Sequence, residues 1–277
     1  MVAESDDVRA EDDLVQAARG GDRSALNALA ERHQQRVFGF GMKMCGDAED
    51  AQEVAQETLL TMVRSLRNFR GDATLSTWLY TVARSFCIKK RRRTKGAPAH
   101  HDPLDKAAQE RERVPAPSPE QSLLGREERD AVASALDDLE PEAREVVVLR
   151  DIEGLTAPEV AAVTGLSLAA VKSRLHRARQ ALRQRLLALV GGDSGLPPTP
   201  SCPDVLTLLS KKLEDDVSPD LCAEMERHVD GCPHCKGLCD SLKRTLAVCK
   251  SFPSPSVPRH VQESLRKTVQ AAIDERG

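Results

Sequence analysis

The densest chemistry in this chain is sulfur near the C-terminal end. Of its eight cysteines, Cys202, Cys222, Cys232, Cys235, Cys239 and Cys249 lie beyond residue 200, and Cys45 and Cys87 stand far upstream. The stretch HVDGCPHCKGLC, residues 228–239, sets His228 four residues before Cys232. On a helix those two side chains share a face. A Cys-x-x-Cys turn then brings Cys235 round beside Cys232, and Cys202 supplies a fourth donor for a tetrahedral, zinc-type site.

One tetrahedral ion leaves Cys222, Cys239 and Cys249 over, with His234 nearby. Surplus soft donors suit a second site or an exchange of ligands, and thiolate-rich sites favour Cu(I) and Cd(II) besides Zn(II). The tail has no Cys-x-Cys pair, which ranks Zn2+ or Cd2+ ahead of copper. Three alternatives stay open. The tail can be a single structural zinc site with spare core cysteines, or an oxidant sensor that sheds its ion on forming a disulfide. Cys232-Pro-His-Cys235 is also the spacing of thiol oxidoreductases, but that motif follows a strand and no strand pattern precedes it here.

A second chemistry lies upstream. Residues 156–185, TAPEVAAVTGLSLAAVKSRLHRARQALRQR, are two short helical patterns joined at Gly165. The second carries Lys172, Arg174, His176, Arg177 and Arg179 and no acid. This is a helix-turn-helix whose second helix suits a DNA major groove. Ser167, Lys172, Ser173, Arg174, His176 and Arg177 are expected on the groove side, and Leu155, Val160, Val163, Leu168, Val171 and Leu175 on the packed side. A solvated basic helix in an ordinary bundle is the plainer reading, and a repressor that binds DNA unaided is another.

The elements that must position these residues are all helical. Three- and four-residue apolar steps run from Asp12 to about Lys95, with Asp47 or Asp50 capping a helix that ends near Leu66. That helix carries Asp50, Glu53, Gln56 and Glu57. A second, Leu75 to Lys90, ends in the basic run that includes Lys89, Lys90 and Arg91. Phe69, Trp78, Tyr80 and Phe86 sit where they can stack on exposed bases, although Trp78 among Leu75, Leu79 and Val82 also reads as core. Further helices are expected over 128–138, 142–152, 156–163 and 167–189, with Pro141 opening the second of them. Residues 1–11 read as acidic and frayed.

The pattern divides the chain into a helical unit at 12–95, a proline-rich flexible linker at 96–125, a helix-turn-helix unit at 126–190, a linker at 191–200, a cysteine-rich unit at 201–252 and an amphipathic tail at 253–277. The fold class is all-α. Over 277 residues the net charge is −3, so DNA contact must come from local clusters. No apolar stretch is long enough for a signal peptide or a membrane span. The expected location is the cytoplasm, where thiols stay reduced.

The stretches DAQEVAQET (50–58), FRGDATLSTWLYTVAR (69–84) and LEPEAREVVVLRDIEGLTAPEVAAVTGLSLAAVKSRLHRARQALR (139–183) resemble the extracytoplasmic-function (ECF) sigma factors, over about residues 12–190. The resemblance implies a factor with no enzymatic activity whose partners are bacterial RNA polymerase core, through the β′ clamp and β flap, and promoter DNA. Asp50, Glu53, Gln56 and Glu57 would bind the clamp. Phe69 to Ser76 and the helix up to Arg93 would recognise and melt the −10 element, and the helix-turn-helix would read the −35 element. Leu59 and Val63 stand where the family often places aromatic residues. The H-x3-C-x2-C tail resembles the zinc-binding anti-sigma domain, here fused to the sigma factor as in the CorE-like group, which implies heavy-metal sensing.

Overall fold

The computed structural model describes residues 2–96, 119–191, 197–252 and 256–275. All regular structure among them is helical. The first linker lies mostly outside the described residues, and its last part, from Pro119, is already helix. Half of the second linker, 192–196, also lies outside them.

The N-terminal unit packs α1 (Val2–Arg19), α2 (Arg23–Cys45), α3 (Ala48–Ser65) and α4 (Leu75–Gly96). Residues 1–11 were expected to fray, yet helix runs from Val2; acidic residues near an N-terminus favour helix through its dipole. Asp22 caps α2 by accepting from the amides of Ser24 and Ala25. Asp47 caps α3, accepting from the Asp50 amide at 2.9 Å. Gly41 lets α2 approach α3: a Cβ there would lie 3.0 Å from the Ala51 Cα. Phe38, Phe40, Leu59, Met62, Val63 and Leu79 fill the interior. Leu59 and Val63 thus keep the packing with aliphatic side chains.

The second unit comprises α5 (Pro119–Asp137), α6 (Pro141–Val147), α7 (Ala157–Thr164) and α8 (Leu168–Val190). Pro141 occupies the first turn of α6, where its missing N–H costs nothing. The helix expected over 142–152 widens into a π-helical turn at Val148–Ile152. Thr156 and Glu159 form a reciprocal capping box for α7, and Gly165 closes it at φ 73°, a conformation that suits glycine. Leu155, Val160, Val163, Val171 and Leu175 are buried as expected, but Leu168 is 41% exposed. It is the first residue after the Ser167 cap, and the helix has not yet turned it inward.

The tail folds as α9 (Val205–Lys212), α10 (Pro219–Gly231) and α11 (Pro233–Lys250) around a small core of Val205, Leu209, Met225, Cys235, Cys239 and Leu242. α12 (Arg259–Asp274) leaves this unit and packs across α2 and α3 of the first, burying Val261, Leu265, Val269 and Ile273 in the main core. The cysteine-rich unit itself leans on α8.

Candidate functional site

Three segments converge on one cluster of soft donors. Cys202 sits just before α9, His228 in the last turn of α10, and Cys232 and Cys235 at the start of α11. Their ligand atoms all lie within 4.8 Å of one another. Cys202 Sγ and Cys232 Sγ are 3.8 Å apart, and His228 Nε2 is 3.2 Å from Cys235 Sγ. The edge of a tetrahedron with zinc–sulfur bonds of about 2.3 Å is about 3.8 Å, so the donor set fits a zinc-type ion. The thiols differ in character. The Thr199 hydroxyl beside Cys202 holds that thiol down at about 6, while burial pushes Cys235 up to about 12. An ion held there would displace the proton of Cys235.

The other tail cysteines do not join this group. Cys222 lies in α10, 3.8 Å from Glu226. Cys239 is buried in the small core and Cys249 in the main core. Burial raises both thiols, Cys249 to about 12, which keeps them protonated and poor as ligands.

The cationic helix α8 faces this unit. Lys172 Nζ lies 2.8 Å from Asp216 Oδ1, and His176 Nε2 3.1 Å from the Thr207 hydroxyl. Arg179, expected only as part of the cationic run, is the centre of a buried network. It donates to Asp151 at 2.9 and 2.6 Å and to Glu214 at 2.6 Å. Arg183 donates to Ser241 at 2.6 Å. Between α8 and α9 a pocket is lined by Leu168, Lys172, Ser173, His176, Ser210 and Glu214. Ser167 caps α8 with its hydroxyl, Ser173 and Arg177 are exposed, and Arg174 is half-buried. Lys172 and His176 of the expected groove face are thus engaged by the tail. Glu214 and Asp216 were not singled out from the sequence. Their signal is the acidic run Glu214-Asp215-Asp216 in a tail packed on a basic helix.

In the first unit the expected nucleic-acid run and the expected protein-binding acids meet. Lys90 Nζ is 2.6 Å from Asp50 Oδ1 and also pairs with Glu53. Lys89 and Glu57 are exposed, while Arg91 and Gln56 are half-buried. Phe69 and Trp78 pack on each other with centroids 5.8 Å apart, both partly exposed. Tyr80 does not offer its ring to a base here. It is 1% exposed, stacks edge-on with Phe40 at 5.2 Å, and donates to Glu153 at 2.6 Å.

That last contact belongs to a seam between the two units. Lys43 pairs with Glu153 at 2.7 Å, Arg84 donates to Glu145 at 2.6 and 3.2 Å, and Thr77 donates to Glu159 at 3.1 Å. The π-helical turn serves both sides: it carries Arg150 to Glu214 of the tail and Asp151 to Arg179 of α8, and leads directly into Glu153 at the seam.

The Sigma-70 region 2 family matches residues 29–96, Sigma-70 region 4 matches 129–182, and a zinc-finger family matches 202–236. The chain is 30% identical over 181 residues to the RNA polymerase sigma-H factor of Pseudomonas aeruginosa, covering 64% of this chain and 94% of that one. It is 34% identical over 178 residues to the ECF RNA polymerase sigma factor SigE of Mycolicibacterium smegmatis, covering 60% of this chain and 64% of that one. Among solved structures, CnrH in complex with the cytosolic domain of CnrY aligns at 29% identity and a TM-score of 0.45, over 65% of this chain and 99% of that one. With both sigma regions in order and a relative matched along nearly its whole length, the chain belongs to the ECF sigma factors of RNA polymerase.

Proposed function

We propose that this sigma factor carries its own metal-responsive brake, in the manner of the CorE-like group. In this reading α8 reads the −35 element, the Phe69–Ser76 loop and α4 act at the −10 element, and Asp50, Glu53, Gln56 and Glu57 of α3 bind polymerase core. The cysteine-rich unit holds α8 away from DNA until a thiophilic ion, Zn2+ or Cd2+ ahead of copper, changes its packing. The observation that carries this is the cover over α8. Lys172, His176 and Arg179 meet Asp216, Thr207 and Glu214, all contributed by α9 and the turn after it.

The coupling path is short. Cys202 stands three residues before Val205, where α9 starts. Asp204 caps α9 by accepting from the Thr207 amide at 3.1 Å, and Thr207 touches His176. A ligand bond to Cys202 therefore acts on the helix that covers α8. When bound, the ion would neutralise thiolate charge and tie Cys202 to His228, Cys232 and Cys235. A hundredfold change in promoter use needs the ion to prefer one packing by about 2.7 kcal/mol.

The test is transcription reconstituted with core polymerase and a promoter selected by this factor, titrated with Zn2+, Cd2+, Cu+ and Cu2+. The expected result is output that changes with at least one ion and ceases to respond in Cys232→Ala and Cys235→Ala. Output indifferent to every ion, with one zinc held tightly throughout, would make the site purely structural.

A further inference from the structure

The two cysteines outside the tail are not isolated. Cys45 ends α2 and Cys87 lies midway along α4. They are 42 residues apart in sequence, yet their sulfurs are in hydrogen-bond contact at 3.2 Å. Cys45 is partly exposed and Cys87 is buried. The pair lies far from the zinc-type cluster in sequence and shares no residue with it. Two thiols this close on different helices need a shift of about an ångström to reach the about 2.05 Å of a sulfur–sulfur bond.

The surroundings distinguish the two sulfurs. The hydrogen-bond contact with Cys87 is the leading cause that holds the Cys45 thiol below its usual range, and Arg91 and Lys90 reinforce it against burial and Asp50. The same contact and burial raise Cys87. A partly exposed, activated thiol beside a buried partner is the arrangement of a reacting and a resolving cysteine.

We propose that Cys45 and Cys87 form a redox-active dithiol in sigma region 2, oxidised by a hydroperoxide to an intramolecular disulfide. The Cys45 thiolate attacks one peroxide oxygen and the O–O bond breaks. Cys45 becomes a sulfenic acid, and the departing oxygen takes up a proton to leave as water or alcohol. The Cys87 sulfur then attacks the Cys45 sulfur. The S–O bond breaks, and the hydroxide leaves as water with the Cys87 proton. With hydrogen peroxide, two thiols and one peroxide give one disulfide and two waters. The new bond would staple the end of α2 to α4 next to Gly46 and Asp47, the turn that starts α3, and below Lys90, which pairs with Asp50 and Glu53. It places an oxidant-sensitive tie at the acidic edge proposed to meet polymerase, and it is independent of the metal proposal.

The experiment uses the reduced full chain. After exposure to hydrogen peroxide, remaining thiols are alkylated, the protein is digested, and peptides are weighed. The expected product is a cross-linked pair containing Cys45 and Cys87, lighter by two hydrogens and released by dithiothreitol. In Cys45→Ser the cross-link disappears and Cys87 is recovered as a free thiol. Recovery of both residues as alkylated thiols, at peroxide levels that oxidise the tail cysteines, would overturn the proposal. So would arrest of Cys45 at sulfinic acid with Cys87 untouched, because Cys87 would then not be resolving it. The readout on the unsubstituted chain needs no variant to fold.

Discussion

The side-chain nitrogen of Lys172, on the helix proposed to enter the DNA groove, lies 2.8 Å from a carboxylate oxygen of Asp216 in the turn after α9. A phosphate and this carboxylate cannot both occupy that position. Asp216→Lys is therefore expected to repel the tail from α8 and raise the affinity of the isolated factor for a promoter fragment several-fold. Fluorescence anisotropy with the labelled fragment checks it, run at two salt concentrations because both contacts are electrostatic. Unchanged binding at low salt would mean that the tail does not compete with DNA.

Arg179 gives the stability counterpart. The residue is 1% exposed, and its guanidinium is shared between Asp151 and Glu214. Glu214→Ala leaves a buried cation with one of its two carboxylate partners, at a cost of roughly 3 kcal/mol. The expected readout is a lower first transition in thermal unfolding, as the tail separates from α8. Glu214→Gln, which keeps a hydrogen-bond acceptor, should lose less.

What the sequence made legible was mostly local. Gly165 announces the turn between α7 and α8, and the spacing of His228, Cys232 and Cys235 announces a ligand set, although α10 ends at Gly231 and leaves Cys232 in extended backbone between two helices. Contacts between distant segments left no such trace. Glu214 and Asp216 answer Arg179 and Lys172 across 35 and 44 residues, and opposite charges that far apart carry no register. Tyr80 reads from the sequence as a stacking platform, and its burial against Phe40 with a bond to the Glu153 carboxylate of another unit overturns that. The π-helical turn at Val148–Ile152 adds less than one residue to the turn, too little for apolar periodicity to register. Residue type alone makes donors of Cys239 and Cys249, but their helical phase points them into packed cores.

The ligand set predicts a division among the cysteines. Cys202→Ala, Cys232→Ala and Cys235→Ala should each lower zinc content below one ion per chain after gentle dialysis, and Cys222→Ser should retain it. Metal content by mass spectrometry separates the groups. Retention of full stoichiometry in Cys235→Ala would require a different fourth donor.

His33 supplies a pH dependence. Burial, and then the nearby Arg36 and Arg32, lower its pKa from 6.5 to about 4. Between those values the unfolded chain binds the proton and the folded chain does not, so stability falls as the solution is acidified from about 6.5 toward 4. The full difference amounts to roughly 3 kcal/mol. In urea unfolding followed across this window, His33→Gln should flatten the slope. An equally steep loss in the variant would assign the acid sensitivity to other groups.

The contact of α12 bears on the proposed polymerase surface rather than on the proposed DNA surface. α12 seals part of the surface of α2 and α3 with Val261, Leu265 and Val269. It is pinned at its two ends by Gln35, which accepts from the Val257 amide at 3.1 Å, and by Asn27, which donates to Gln270 at 3.1 Å. α3 is also the helix of Asp50, Glu53, Gln56 and Glu57. Leu265→Asp puts a carboxylate where a 1% exposed leucine sits, forfeiting the roughly 2 kcal/mol of its burial and adding the cost of a buried charge. α12 should then leave its seat. If it hinders the proposed polymerase contact, the variant will bind core polymerase more tightly than the parent chain in an interferometry assay, and Glu53→Lys will weaken binding in both backgrounds. A far-UV melt of Leu265→Asp shows whether α1 to α4 still fold. Equal polymerase affinity from a folded variant would reduce α12 to a structural strap.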